Sequence, residues 1–131
     1  MHSHWQHSVI PGEALRLTLY WRADKQINAE WTAFVHVLTP DSSLLAGMDQ
    51  QPMGGRAPIT TWSPGQVVAY TVAIPIPAAA AAGEHRIGIG WYQWPGLERL
   101  SAQSDSLPVS DQVVTLGTVF VKRSAEAVSS P

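Results

Sequence analysis

A chain of 131 residues, 45% hydrophobic and only 14% charged, is the length of one domain and can bury a single core. A net charge of −2 with no Lys/Arg stripe argues against a nucleic-acid partner, and the lack of cysteine excludes a disulfide framework and thiol chemistry. No run approaches the ~18 apolar residues of a membrane span, and MHSHWQHSVIPGE has no apolar stretch of the signal-peptide kind.

Residues 1–10 form an N-terminal segment ahead of the first clear pattern. From Ala14 the pattern has period 2. Leu15, Leu17, Leu19 and Trp21 share one face, and Arg16, Thr18, Tyr20 and Arg22 the other, which predicts a half-buried strand. The polar DKQINAE is a loop. WTAFVHVLT, rich in β-branched and aromatic residues, is a second strand, with Ala33, Val35 and Val37 set against Phe34, His36 and Leu38. PDSS ends it as a turn, and LLAGMDQ is a short third strand.

A Gly- and Pro-rich connection then runs to about Gly65. QVVAYTVAIPI is a strand, stopped by Pro75 and Pro77 because proline cannot donate to the ladder. AAAAAGEH allows one helical turn, too short to stand alone. HRIGIGWYQW is a strand in which glycines alternate with Ile87, Ile89 and Trp91. Pro95-Gly96 is a turn signal, ERLSA a hairpin arm, and QVVTLGTVFVKR the last strand. About seven strands with no long helix predict an all-β fold: a two-layer antiparallel β-sandwich of immunoglobulin-like or jelly-roll topology over residues 11–123. Residues 124–131 are expected to be a disordered tail.

The order of short motifs carries a resemblance. Pro11, Gly12, Leu15, Leu17, Leu19 and Trp21 are followed by Phe34, Val35 and His36, then Asp49 and Pro52. Trp62, Pro64 and Gly65 come next, then Gly90, Tyr92, Arg99 and Leu100. Across residues 11–122 this order resembles an accessory β-sandwich domain. That domain follows the membrane portion of bacterial glycosyltransferase-like proteins of the dolichyl-phosphate-mannose mannosyltransferase type. The resemblance implies an extracytoplasmic, sugar-associated module with a membrane glycosyltransferase partner. Its members begin with a further strand before the Pro-Gly turn. Here only HWQHSVI is available, so an open sheet edge and a homodimer through the N-terminal edge strand are expected.

Five residues are candidates for ligand binding. Asp49 could accept sugar hydroxyls; equally it could bond loop amides or hydroxyls, or pair with Arg56. A calcium role is disfavoured, because no second acidic residue lies between Asp49 and Glu84 and the Asp-x-Asp spacing of calcium loops is absent. Trp62 precedes Pro64-Gly65, a type II turn signal, and either pins the connection or offers an indole to a sugar. Tyr92 and Trp94 lie on one face of GWYQWPG, where a flat aromatic with a polar edge suits stacking on a sugar ring. His36 reads as a satisfied edge residue, and His2, His4 and His7 as an adventitious metal cluster, so no metal or cofactor is expected.

Enzymatic readings find little support. Glu98 and Asp105 could be offered as a glycosidase pair, but nothing marks either, and no nucleophile elbow, phosphate loop or zinc motif is present. Three readings follow: a non-catalytic, sugar-associated accessory module, a free-standing carbohydrate-binding module, or a structural assembly domain without a small ligand.

Overall fold

The computed structural model describes residues 4–5, 8–93, 96–104 and 106–122. Within them lie ten strands and two short 3-10 turns. The long strands are β3 (Ala14–Arg22), β4 (Thr32–Leu38), β5 (Leu44–Gln50), β6 (Val67–Pro75), β7 (Gly83–Gln93) and β10 (Val113–Val121). The short ones are β1 (His4–Trp5), β2 (Ser8–Val9), β8 (Glu98–Arg99) and β9 (Val109–Ser110).

The strands form two sheets. The smaller has the order β1-β3-β6; the larger has the order β2-β10-β7-β4-β5, with β8 beside β7 and β9 beside β10. Period-2 alternation assigns the inner faces. Leu15, Leu17, Leu19, Tyr70, Val72 and Ile74 of the smaller sheet meet Val35, Val37, Ile87, Ile89, Val119 and Val121 of the larger, all buried. Each such side chain contributes about 1.5–3 kcal/mol by leaving water. Trp21, expected inward with the leucines, is only half-buried, packed at the margin of this core.

The strand pairs are antiparallel with one exception. Ser8 and Val9 run parallel to Phe120 and Val121, while His4 and Trp5 pair antiparallel with Thr18 and Leu17. The short N-terminal segment therefore adds a strand to each sheet. Val9 is buried in the core and its carbonyl accepts from the Lys122 amide at 3.0 Å. The edge expected to lie open is covered from within the chain, which removes the ground on which a dimer was expected there. The alanine run makes one tight turn, closed by the Ala80 amide on the Pro77 carbonyl at 3.0 Å, in place of a helical turn. The predicted tail lies outside the described residues.

The 51–66 connection is tied down at several points. Its two 3-10 turns cover Pro52–Gly55 and Ile59–Thr61. The Gln66 amide donates to the Ser63 carbonyl at 3.0 Å, and Gly65 between them has φ +81°, the left-handed conformation that a type II turn requires.

Candidate functional site

The outer face of the larger sheet carries the most distinctive cluster. Phe34 and His36 project from β4 on the side away from the core. Cross-strand register sets Phe34 between Asp49 of β5 and Gly90 of β7, and His36 between Gly47 and Gly88. A side chain on those glycines would crowd the neighbouring groups. A Cβ at Gly90 would fall 2.6 Å from Phe34 Cζ, and one at Gly47 3.0 Å from His36 Cδ2. The absent side chains let the rings lie down along the sheet. Phe34 is thus only 4% exposed although it points outward.

Asp49 gathers the polar groups. His36 Nε2 is 3.1 Å from Asp49 Oδ1, and the Tyr92 hydroxyl donates to Oδ2 at 3.1 Å. An ionised carboxylate only accepts, so Nε2 carries a proton in this pair. Phe34 lies under both partners, with centroids 4.7 Å from the His36 ring and 6.2 Å from the Tyr92 ring. The Asp49 and His36 side chains are 39% and 31% exposed, so the group faces water. It is a low aromatic surface with a fixed carboxylate in it.

A second wall borders it. Arg99 of β8 is the cross-strand partner of Tyr92. Its Nη1 donates to the Asp111 carboxylate at 2.7 Å and to the Asp111 carbonyl at 3.1 Å. Asp111 and Gln112 form the two-residue turn between β9 and β10, both left-handed at φ +53° and +64°. Side chains bear that conformation at a cost, and such cost is often found near functional sites. The Gln112 side chain accepts from the Ala102 amide at 3.0 Å, which ties the turn to the preceding loop. Leu97, Arg99, Asp111 and Gln112 line an open depression of about 480 Å³.

The candidates divide. Asp49 and Tyr92 are in direct contact. Arg56 is elsewhere: its Nε donates to the Met53 carbonyl at 3.2 Å, closing the 3-10 turn, and Asp49 takes His36 and Tyr92 as partners instead. Trp62 is 3% exposed, so its ring is not a solvent-facing platform. Its Nε1–H donates to the Ala57 carbonyl at 3.0 Å, and it packs edge-on against Trp91 at 5.5 Å. Trp91 meets Trp21 in the same manner, also at 5.5 Å. These three indoles line a cleft of about 700 Å³ together with residues 100–104, 106 and 107. Trp94 and Asp105 lie outside the described residues, as do His2 and His7. The sequence reads His36 as a satisfied edge residue, and Phe34 is not among the site candidates. The glycine alternation in HRIGIG is the signal that points to them, since it marks where neighbouring rings can lie flat.

Among the described residues no group of three His, Cys, Asp or Glu side chains could hold a metal ion. Asp49 and His36 resemble the base half of a hydrolytic triad, but the third member is a phenol bonded to the carboxylate and not to the imidazole.

No family model matches the chain and no curated protein matches it, so the glycosyltransferase-associated resemblance finds no counterpart there. Among solved structures the chain is similar to the crystal structure of the C-terminal domain of wzt. The TM-score is 0.53 and the identity 15%, over 92% of this chain and 71% of that one. At that identity the similarity is one of fold, and it agrees with the β-sandwich expected from the sequence.

Proposed function

We propose that the chain is a non-catalytic, sugar-associated β-sandwich module that recognises glycan on the outer face of its larger sheet. The observation that carries this reading is the Asp49 carboxylate, held between His36 and Tyr92 over the flat Phe34 ring and open to water. Phe34 is covered and serves as the floor; the half-buried Tyr92 and His36 rings against it are the aromatic faces open to the C–H side of a sugar, and the fixed carboxylate takes its hydroxyls. A sheet face also holds these groups more firmly than a loop does. Trp94 belongs to the proposal as a neighbour of Tyr92 in sequence; Trp62 and Arg56 enter it only as residues that fix the 51–66 connection.

Service to a membrane glycosyltransferase-like partner, and a place outside the cytoplasm, rest on the sequence resemblance alone. A homodimer through the N-terminal edge would compete with the pairs that β1 and β2 already make. The free-standing carbohydrate-binding module is the same chemistry without that partner.

The test is a broad glycan array probed with the wild type and with Tyr92→Ala, followed by calorimetry on any hit. Binding that disappears in the variant, with melting nearly unchanged, supports the reading. An array without hits favours the structural assembly domain.

A further inference from the structure

Resting on that reading of the Asp49 site, we infer that the site selects neutral sugars presenting adjacent free hydroxyls and rejects sugars bearing carboxylate, phosphate or sulfate. The ground is the direction of each hydrogen bond. Tyr92 has one proton, and it is spent on Asp49 Oδ2. The Nε2 proton of His36 is spent on Oδ1. Neutral imidazole then has only an acceptor left, at Nδ1, and a carboxylate has no donor at all. The cluster has therefore used its own donors internally, and the capacity it keeps toward a ligand is acceptor capacity. Adjacent hydroxyls supply two donors at a spacing that a two-oxygen acceptor can meet. Anionic substituents supply further acceptors and a like charge.

Two arginines stand on this face among the described residues: Arg99, the neighbour of Tyr92 across the strand pair, and Arg86, farther along β7, which donates to the Ser42 hydroxyl at 2.7 Å. The Arg99 charge is met by the Asp111 carboxylate at 2.7 Å, held by a turn whose two left-handed residues fix that geometry. Neither arginine is bonded to Asp49, so the carboxylate meets a ligand with no guanidinium beside it.

The experiment uses the full chain at about pH 8. Calorimetry compares matched oligosaccharides: a neutral hit, its uronate or phosphorylated analogue, and its O-methylated form. The neutral sugar is expected to bind at least about tenfold tighter than either analogue, the scale of a lost hydrogen bond to a charged group. Asp49→Asn installs a donor and removes the charge. It should weaken the neutral sugar about tenfold and narrow the gap to the anionic one. A second readout needs only the wild type. Raising salt from about 20 mM to about 1 M should lessen the rejection of the anionic analogue by screening. Equal binding of neutral and anionic sugars overturns the selection while leaving the sugar site in place. So does an Asn variant that folds and binds as the wild type does. Binding of no sugar at all overturns both.

Discussion

Gly90→Ala adds one methyl group where β7 faces β4. Its Cβ would stand 2.6 and 2.7 Å from two ring carbons of Phe34 and 3.2 Å from the Gln112 carbonyl oxygen. Contacts under 3.0 Å cannot be kept, so something must shift. The backbone conformation is not the obstacle, because Gly90 lies within a regular strand. Phe34 is buried, and the Gln112 carbonyl of the β9–β10 turn also crowds the new methyl, so neither neighbour leaves it open space. Overpacking of this kind costs about 1–3 kcal/mol. For a domain of this size that is a fall of about 4–12 °C in melting temperature. Calorimetric melting of wild type, Gly90→Ala, Phe34→Leu and the double variant forms a cycle. The double variant should lose less than the sum, because a leucine has no ring edge at the contested position. A Gly90→Ala protein melting within about 1 °C of wild type would refute the steric account of why the rings lie flat.

Trp62→Ala should cost about 3–5 kcal/mol in urea titration, since it empties a packed indole site and leaves the Ala57 carbonyl without its donor. Arg56→Ala, removing an exposed side chain bonded only to its own turn, should stay within about 0.5 kcal/mol. Leu97 is 55% exposed with φ +59°, so Leu97→Gly should stabilise by up to about 1 kcal/mol in the same titration. Burial pushes the Tyr70 phenol above its ordinary value of 10.0, so the folded state holds the proton more tightly than the unfolded chain. Stability from this group is complete below pH 10.0 and falls as the pH rises beyond it. Tyr70→Phe should flatten that alkaline loss in melting temperature. At neutral pH it should be nearly neutral, because the Trp21 indole is the only polar neighbour of the hydroxyl among the described residues and the two do not form a well-aligned hydrogen bond.

The strands were legible because each carries its own period-2 signal; Leu44–Gln50 emerges with the bounds expected of it. The core face of β3 followed from the leucines alone. What a single strand cannot reveal is its register against the next. Asp49, His36 and Tyr92 come from three strands, and they meet only because Phe34 pairs with both Asp49 and Gly90. The Arg56–Asp49 pair looked reasonable by proximity in sequence. A 3-10 turn starting at the buried Pro52 sends Arg56 back onto Met53 instead. The burial of Phe34 on the outward face contradicts simple alternation. It depends on glycines in a strand about fifty residues away, information that no local window holds.

The parallel pairing of β2 with β10 bears on how the fold answers tension. These strands lie near the two ends of the chain, run side by side, and point the same way. A pull that draws the ends apart drags β2 and β10 in opposite senses along their common axis. The bonds between them, including the one from the Lys122 amide to the Val9 carbonyl, are loaded together in shear rather than peeled one by one. By contrast, β1 and β3 are antiparallel. Extension from the N-terminus releases the β1 pairs before the load reaches Val9. The two-residue parallel contact is thus loaded in shear before the longer antiparallel pairs of the sheet. In a single-molecule pulling record the small yield of β1 should precede the sliding of β2 along β10.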